Sequence, residues 1–407
     1  MSDTLIIGGT TYTGVTGIKA TDNNNIVQTF TKGGGGGGSV EAKDVNFIDY
    51  DGTILHSYTK TEFAALSALP ANPSHDGLTA KGWNWTLANA KTYVGKYGRM
   101  NIGQMYKLTD GNTHIFITIP EGTPDNRLTF SVRFTQTVSN GVTVDWGDNS
   151  ATETYSGTSA ANHSHTYAQP GNYEITLDVT SGKVSFVGSS SYSIYGSTSG
   201  AQGYLTRNWI NKIYFGDDVT SIGSYALRYC YALSQLIIPY GVTSIENYAL
   251  AHCYSLGFLT IPDTITSFGS YVLQYCYRLA NITIPNSVTS VGIGTAQYCY
   301  AFKTTNGLSH VASIRANAFD YCYGLTTAII PDGVTSIGNQ AFRNCSALSE
   351  IHVFPTTPPT LGTDVFSNSP NDLKIYVPYS ANHSILTTYK STTNWSTYAS
   401  YMQEEPQ

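Results

Sequence analysis

Apolar and polar positions in the second half of the chain recur with one step. Val219, Val242, Ile265, Val288, Val311 and Val334 stand 23 residues apart, as do Ile210, Leu233, Leu256, Leu279, Phe302, Leu325 and Leu348. Within each step, apolar residues two apart predict a short strand with one buried face. Ile213 and Phe215, Leu236 and Ile238, Leu259 and Ile261, and Ile282 and Ile284 are such pairs. Pro239, Pro262, Pro285 and Pro331 end these strands, because proline fixes φ and has no N–H for the ladder. A turn-like V-T-S-[IFV]-G follows, then an inward apolar pair such as Ala249-Leu250 or Ala341-Phe342. One such unit cannot bury its apolar face alone, so the pattern predicts stacked units sharing a core, with caps at the ends.

The cysteines keep the same step. Cys230, Cys253, Cys276, Cys299, Cys322 and Cys345 are the chain's only cysteines, each 23 residues from the next. That period is in the leucine-rich-repeat range. The composite L-x-x-I-x-I-P-x-x-V-T-S-I-G-x-x-A-F-x-x-C resembles the cysteine-containing repeat of BspA-like bacterial surface proteins over residues 207–378. Lys374-Ile375-Tyr376-Val377-Pro378, with Tyr389 and Trp395 to Tyr401, resembles that family's C-terminal cap. The fourth repeat departs from the pattern, with Thr295-Ala296 as its pair and Gly307-Leu308 in place of Ile-Pro, so a local irregularity is expected there.

Equivalent residues of stacked strands lie ~4.8 Å apart with parallel side chains, whereas a disulfide needs Cβ atoms nearer ~3.8 Å and converging. The six thiols are therefore expected to be buried and unpaired, packing as small hydrophobes. No Cys or His pair has zinc-type spacing, and neither a metal nor a cofactor is expected. Tyr231, Tyr254, Tyr277, Tyr300 and Tyr323 follow five of the cysteines; Tyr229, Tyr275, Tyr298 and Tyr321 precede four. If the cysteines point inward, these neighbours form two outward ladders. Tyrosine gives large rigid contacts with a polar tip, so the ladders are a candidate binding surface, set against mere shielding of the repeat edge. Phe258, Lys303, Glu350 and His352 vary between repeats and are candidate specificity positions.

Ahead of the repeats the pattern changes several times. Residues 4–32 alternate polar and small apolar residues, as expected of short strands or a docking arm. Gly33 to Gly38 is a hinge signal, without the Gly-Lys-Ser/Thr of a phosphate loop. Val45 to Leu55 holds the D-x-D-G-T of haloacid-dehalogenase-type phosphatases at Asp49 and Asp51, but the further motifs and the doubly wound sheet that family needs are missing. An Asp-Gly turn joining Asn46–Tyr50 to Thr53–Tyr58 in a hairpin accounts for the same residues. A helix is predicted from Lys60 or Thr61 to Leu69, stopped by Pro70, with Leu66 and Leu69 on its apolar face. A Trp83/Trp85 stretch, a helix over Leu87–Tyr97 and a strand over Thr113–Ile119 complete a module at 41–122 that resembles structural proteins of phages infecting gut Firmicutes. Over 123–182, W-G-D at Trp146 and H-T-Y-x-x-P-G-x-Y at His165–Tyr173 resemble a PKD-type immunoglobulin-like sandwich. Trp146 and Tyr173 are its core candidates, and Asp145 and Asp148 read as turn caps before calcium ligands.

The predicted fold is therefore multidomain and mainly β. An arm and hinge (1–40) lead to a small α/β module (41–122) and a β-sandwich (123–182). A Ser/Gly/Tyr-rich linker and N-terminal cap (183–206), the repeat solenoid (207–378) and a C-terminal cap (379–407) follow.

Charged residues are only 12%, about half the usual share, and the net charge is −6, which argues against nucleic acid as a partner. No apolar run is long enough to span a membrane. Met1 to Thr10 has no basic or hydrophobic leader region, so the expectation is assembly in the cytoplasm and release by lysis, as a virion component. On that reading the arm contacts other virion proteins, the repeats meet a host-surface glycan or protein, and the chain forms a homo-oligomer. A bacterial cell-surface adhesin is the alternative and a phosphatase the remote one. No nucleophile–base constellation is found, and a non-enzymatic role is expected.

Overall fold

A computed structural model describes residues 43–189, 192–194, 196–197, 206–266, 268–305, 308 and 310–406, together with the backbone of four strands nearer the N-terminus. Residues 1–40 form one unit and 41–407 another. The first unit contains two antiparallel hairpins, Thr4–Ile7 with Thr10–Thr13 and Gly17–Thr21 with Val27–Thr31. The Gly33–Gly38 hinge, Gly307 and linker residues 198–205 lie outside the described residues.

The second unit starts with a four-stranded sheet ordered Ile54–Tyr58, Val45–Ile48, Met100–Leu108, Leu78–Trp83. The Asp-Gly hairpin is present, with Gly52 at φ +91° in its turn. Val45–Ile48 and Met100–Leu108 pair in parallel, which requires a crossover, and two helices lie along it. Helix α1 (Lys60–Ala65) ends before the predicted Leu69: a capping box of Thr59 and Glu62 starts it, and the chain turns extended at Leu66. Helix α2 (Leu87–Tyr97), capped by Thr86, matches its prediction.

Thr113–Ile119 belongs elsewhere than expected. It pairs with Gly171–Val179 on one side and with Ile210–Tyr214 of the first repeat on the other. The "linker" residues Val184–Phe186 likewise form a strand, between Thr129–Gln136 and Val219–Ile222. Both sheets of the sandwich thus run on into the first turns of the solenoid, and one apolar core continues from Ile115 to Met402. Sheet continuation caps the N-terminal end of the repeat stack, which would otherwise expose an open edge. Trp146 is buried in the sandwich as expected; beside it Tyr167 takes the core position, and Tyr173 stacks over Tyr167 at 4.0 Å. Asp145 and Asp148 accept hydrogen bonds from the Gly147 and Ser150 amides, as turn caps do.

The repeats form a β-solenoid of about eight turns. Its far end is closed by helix α3 (Ser384–Ser391), a 3-10 segment Trp395–Tyr401 and Met402–Glu404, which pairs with Lys374–Val377. Tyr389 and Trp395 are fully buried there and donate to the carbonyls of Pro355 and Pro359. Among the described residues, the irregular fourth repeat has an isolated bridge, Thr304 to Thr327, where its neighbours have strands. Thr305 stands in for the lost ladder: its hydroxyl donates to the Ile329 carbonyl and accepts from the Ile329 amide.

Candidate binding surfaces: a tyrosine wall and a cleft on the strand face

All six cysteines are buried and unpaired. From Cys253 onward each thiol donates to a carbonyl of the preceding turn: Cys253 to Leu227 at 3.3 Å, Cys299 to Leu273 at 3.1 Å, Cys345 to Phe319 at 3.2 Å. The thiols therefore do more than fill space. Each of these carbonyls also accepts a backbone N–H, as Leu227 does from Cys230 and Leu273 from Cys276, so the thiol fills its second acceptor site. Burial pushes them away from thiolate, Cys276 up to about 12.

The tyrosines beside them stack ring on ring. Tyr231, Tyr254, Tyr277, Tyr300 and Tyr323 form one column with centroids 4.5, 4.7, 4.7 and 4.9 Å apart. Tyr229, His252, Tyr275, Tyr298 and Tyr321 form a second at 4.5 to 4.6 Å. Arg207 lies over both Tyr229 and Tyr231 at one end, and Arg343 lies over Tyr321 at the other. A third column, Tyr225, Tyr248 and Tyr271, was not anticipated. The outward ladders expected from the sequence are corrected in part: Tyr231 and Tyr254 are 2% and 3% exposed, and the other seven are half-buried. Each ring presents its faces to its neighbours, leaving only edges for a ligand.

The backbone explains the wall. Two positions per turn are left-handed, at the fifth and first residues before the cysteine, with φ between +56° and +68° from Tyr225 to Asn344. A left-handed residue at each site points its N–H at the next turn; Tyr229, His252 and Tyr275 donate to Ala251, Gln274 and Gln297. Bulky residues rarely adopt this conformation, which costs roughly 1–2 kcal/mol each. The inter-turn hydrogen bond and a stacking gain of about 0.5–1.5 kcal/mol per pair offset it. At Gly294 a Cβ would lie 2.3 Å from the Tyr271 ring, so the third column ends there.

On the opposite side the α/β module sits on the strand face of the repeats. Asn84 Nδ2 donates to the carbonyls of Ile261 (3.2 Å) and Thr283 (3.3 Å), and Trp85 Nε1 to Ile284 (3.0 Å). Lys96 and Tyr97 both bond Asp332, and Ile329 joins the module's apolar core. Phe258, expected to set specificity, is buried under Gly52. Beyond these contacts the two parts separate around a cleft of ≈ 680 Å³. Lys303, Glu350 and His352, the other three variable positions, line its repeat side, with Thr304, Thr326 and Thr327. Lys43, Asp44, Lys60, Arg99 and Asn101 line the module side. His352 is ion-paired to Glu405 at 2.6 Å and sits 3.7 Å from Glu350. Variation between repeats marked Lys303, Glu350 and His352 in the sequence, but nothing there showed that they face the module.

Asp49 lies nearby in the module but is closed to solvent. Its carboxylate accepts from the Tyr50 amide and the Tyr106 hydroxyl and sits 2.7 Å from His75 Nε2. That arrangement fixes the Asp-Gly turn and leaves no open face for a phosphate.

The sequence profile described as "BspA type Leucine rich repeat region" matches residues 204–326 and 312–399, in six copies. The C-terminal solenoid is therefore of the BspA-type leucine-rich-repeat kind. Among solved structures, a leucine-rich repeat protein of T. pallidum is 27% identical, covering 32% of this chain and 62% of that one, with a TM-score of 0.31. A leucine-rich repeat protein of Bacteroides ovatus is 21% identical, covering 52% of this chain and 61% of that one, also at 0.31. A leucine rich cell surface protein of Faecalibacterium prausnitzii is 23% identical, covering 47% of this chain and 81% of that one, at 0.22. The chain spans about three fifths of the first two (62% and 61%). No curated protein matches it.

Proposed function

We propose that this protein is a non-enzymatic recognition protein displayed at a bacterial surface, where it holds a host or matrix ligand in the cleft between its α/β module and its repeats. The observation that carries this reading is the cleft itself. It is preformed, lined by charged and amide side chains among apolar ones, and framed by two parts joined through Asn84, Trp85 and Asp332. A preformed frame lowers the ordering cost of binding. Display at a surface is supported by the BspA-type match over the repeats, a type that resembles those of bacterial surface proteins. The ligand on this reading is a glycan or protein, and the chain acts as a homo-oligomer.

The virion reading has in its favour the resemblance of residues 41–122 to phage structural modules and that of 123–182 to PKD-type domains; the match over the repeats favours the cell surface. The separating experiment is biotinylation of intact source cells with a membrane-impermeant reagent. The proposal expects labelled protein on cells and binding of purified protein to immobilised mucin or matrix. Recovery of the protein only with phage particles would overturn it in favour of the virion reading.

A further inference from the structure

The cleft carries a charge opposite to that of the chain around it. The chain is net −6, yet Lys43, Lys60, Arg99 and Lys303 face only Asp44 and Glu350 in the cleft. Two of the cations are already committed: Lys43 to Glu62 at 3.0 Å, and Arg99 to Asp44 at 3.9 Å. Lys60 and Lys303 form no ion pair among the described residues, and both are exposed at the rim. A positive recess on an acidic protein concentrates anionic ligands.

The remaining lining narrows the class. Asn46 and Asn101 bond each other at 3.1 Å, Asn101 reaches Asn281 at 3.5 Å, and the Thr326 hydroxyl bonds the Lys303 carbonyl. These amides and hydroxyls are already oriented, and each group both donates and accepts, as sugar hydroxyls do. Ile48, Ile54, Tyr97 and Ile329 add apolar surface between these groups, against which the carbon face of a sugar ring can pack, while the four lysine and arginine side chains disfavour a purely apolar ligand. A nucleic acid strand would bring a phosphate every ~3.4 Å and needs more cations than two. Two lysines outside any ion pair among the described residues, against the one remaining carboxylate of Glu350, leave a net positive charge amid amides and hydroxyls, which suits a polymer in which a carboxylate alternates with neutral, hydroxyl-rich units.

We infer that the cleft binds an acidic oligosaccharide, with Lys60 and Lys303 on its carboxylates and the Asn101–Asn281 and threonine groups on its hydroxyls. The inference rests on the recognition reading above. A protein that labels at the cell surface but binds no acidic sugar keeps that reading and loses this one.

The test is calorimetric titration of the full chain with a glucuronate–N-acetylglucosamine hexasaccharide, its neutral counterpart an N-acetylglucosamine hexamer, and polyglutamate. The charged hexasaccharide is expected to bind, the neutral hexamer to bind at least about tenfold more weakly, and Lys60→Ala with Lys303→Ala to cost about tenfold or more. Lys81→Ala, at an exposed lysine outside the cleft, is expected to change nothing. Equal binding of the neutral hexamer, no saccharide binding at millimolar concentration, or indifference to both lysines would overturn the inference. Tight polyglutamate binding that displaces the sugar would assign the cleft to an acidic protein instead.

Discussion

Gly103 is where the module touches the repeats most closely, and replacing it with alanine tests that docking. Its amide donates to Asn84 Oδ1 at 2.9 Å, and its carbonyl accepts from the Asn84 amide at 2.9 Å, so it also holds the residue that anchors the module to Ile261 and Thr283. A Cβ there would lie 2.4 Å from Thr283 Oγ1, 2.5 Å from Thr260 Oγ1 and 2.7 Å from Thr260 Cγ2. Two threonines on adjacent strands cannot both rotate away inside a packed interface, so the strand must shift. Overpacking of this kind costs about 1–3 kcal/mol. Gly95→Ala is the control: it lies in α2 with open space around its Cβ, and alanine there should stabilise by roughly 0.5–1 kcal/mol. The assay is hydrogen exchange of residues 78–108, 258–261 and 281–284, with thermal unfolding alongside. Gly103→Ala should speed exchange in all three segments by about one to two decades, while Gly95→Ala should slow it within α2. Unchanged exchange in Gly103→Ala would mean that the module does not rest on the repeats.

Three further outcomes follow from the repeats. Thiol titration of the native protein at mild alkaline pH should find no prompt reaction and about six groups after denaturation, since burial holds all six thiols protonated; fast native reaction of several would refute the thiol ladder. Arg343→Ala should destabilise by about 3 kcal/mol in urea unfolding, because Asp320 is fully buried and loses its two-pronged partner at 3.1 and 2.8 Å; a loss below half a kilocalorie would refute that pairing. His252 is held down to about 3, first by its burial and then by nearby Arg228 and Arg207, against about 6.5 unfolded. The unfolded chain thus binds the extra proton first. Stability should fall as pH drops from about 6.5 toward 3, by at most ~1.4 kcal/mol per unit, and His252→Tyr should remove that part of the acid sensitivity.

The solenoid was legible because its determinants are local and repeated: the 23-residue step survives in Val219 to Val334 and in the cysteines alike. The tyrosine columns were half legible. Spacing placed them in register, but their direction depends on left-handed backbone at Tyr229, Tyr275 and Tyr298, a conformation read from Gly or Asn and not from Tyr. The later turns, with Asn317, Asn344 and Asn368 at the same sites, carry the ordinary signal. The docking of the module and the cleft were not legible. They join residues as far apart as Asn101 and Asn281, and no pattern within either segment encodes the other. Thr113–Ile119 was misplaced for the same reason: its alternation reveals a strand but not its partner.

The central claim is that recognition occurs in the cleft and not on the tyrosine wall. Hydrogen exchange of the full chain, free and in the presence of mucin or matrix material, tests that claim most directly. The account predicts slowed exchange at residues 98–101, 303–304, 326–327 and 350–352, with the turns carrying Tyr229 to Tyr323 unchanged. Protection confined to those tyrosine turns, with the cleft segments unaltered, would contradict it.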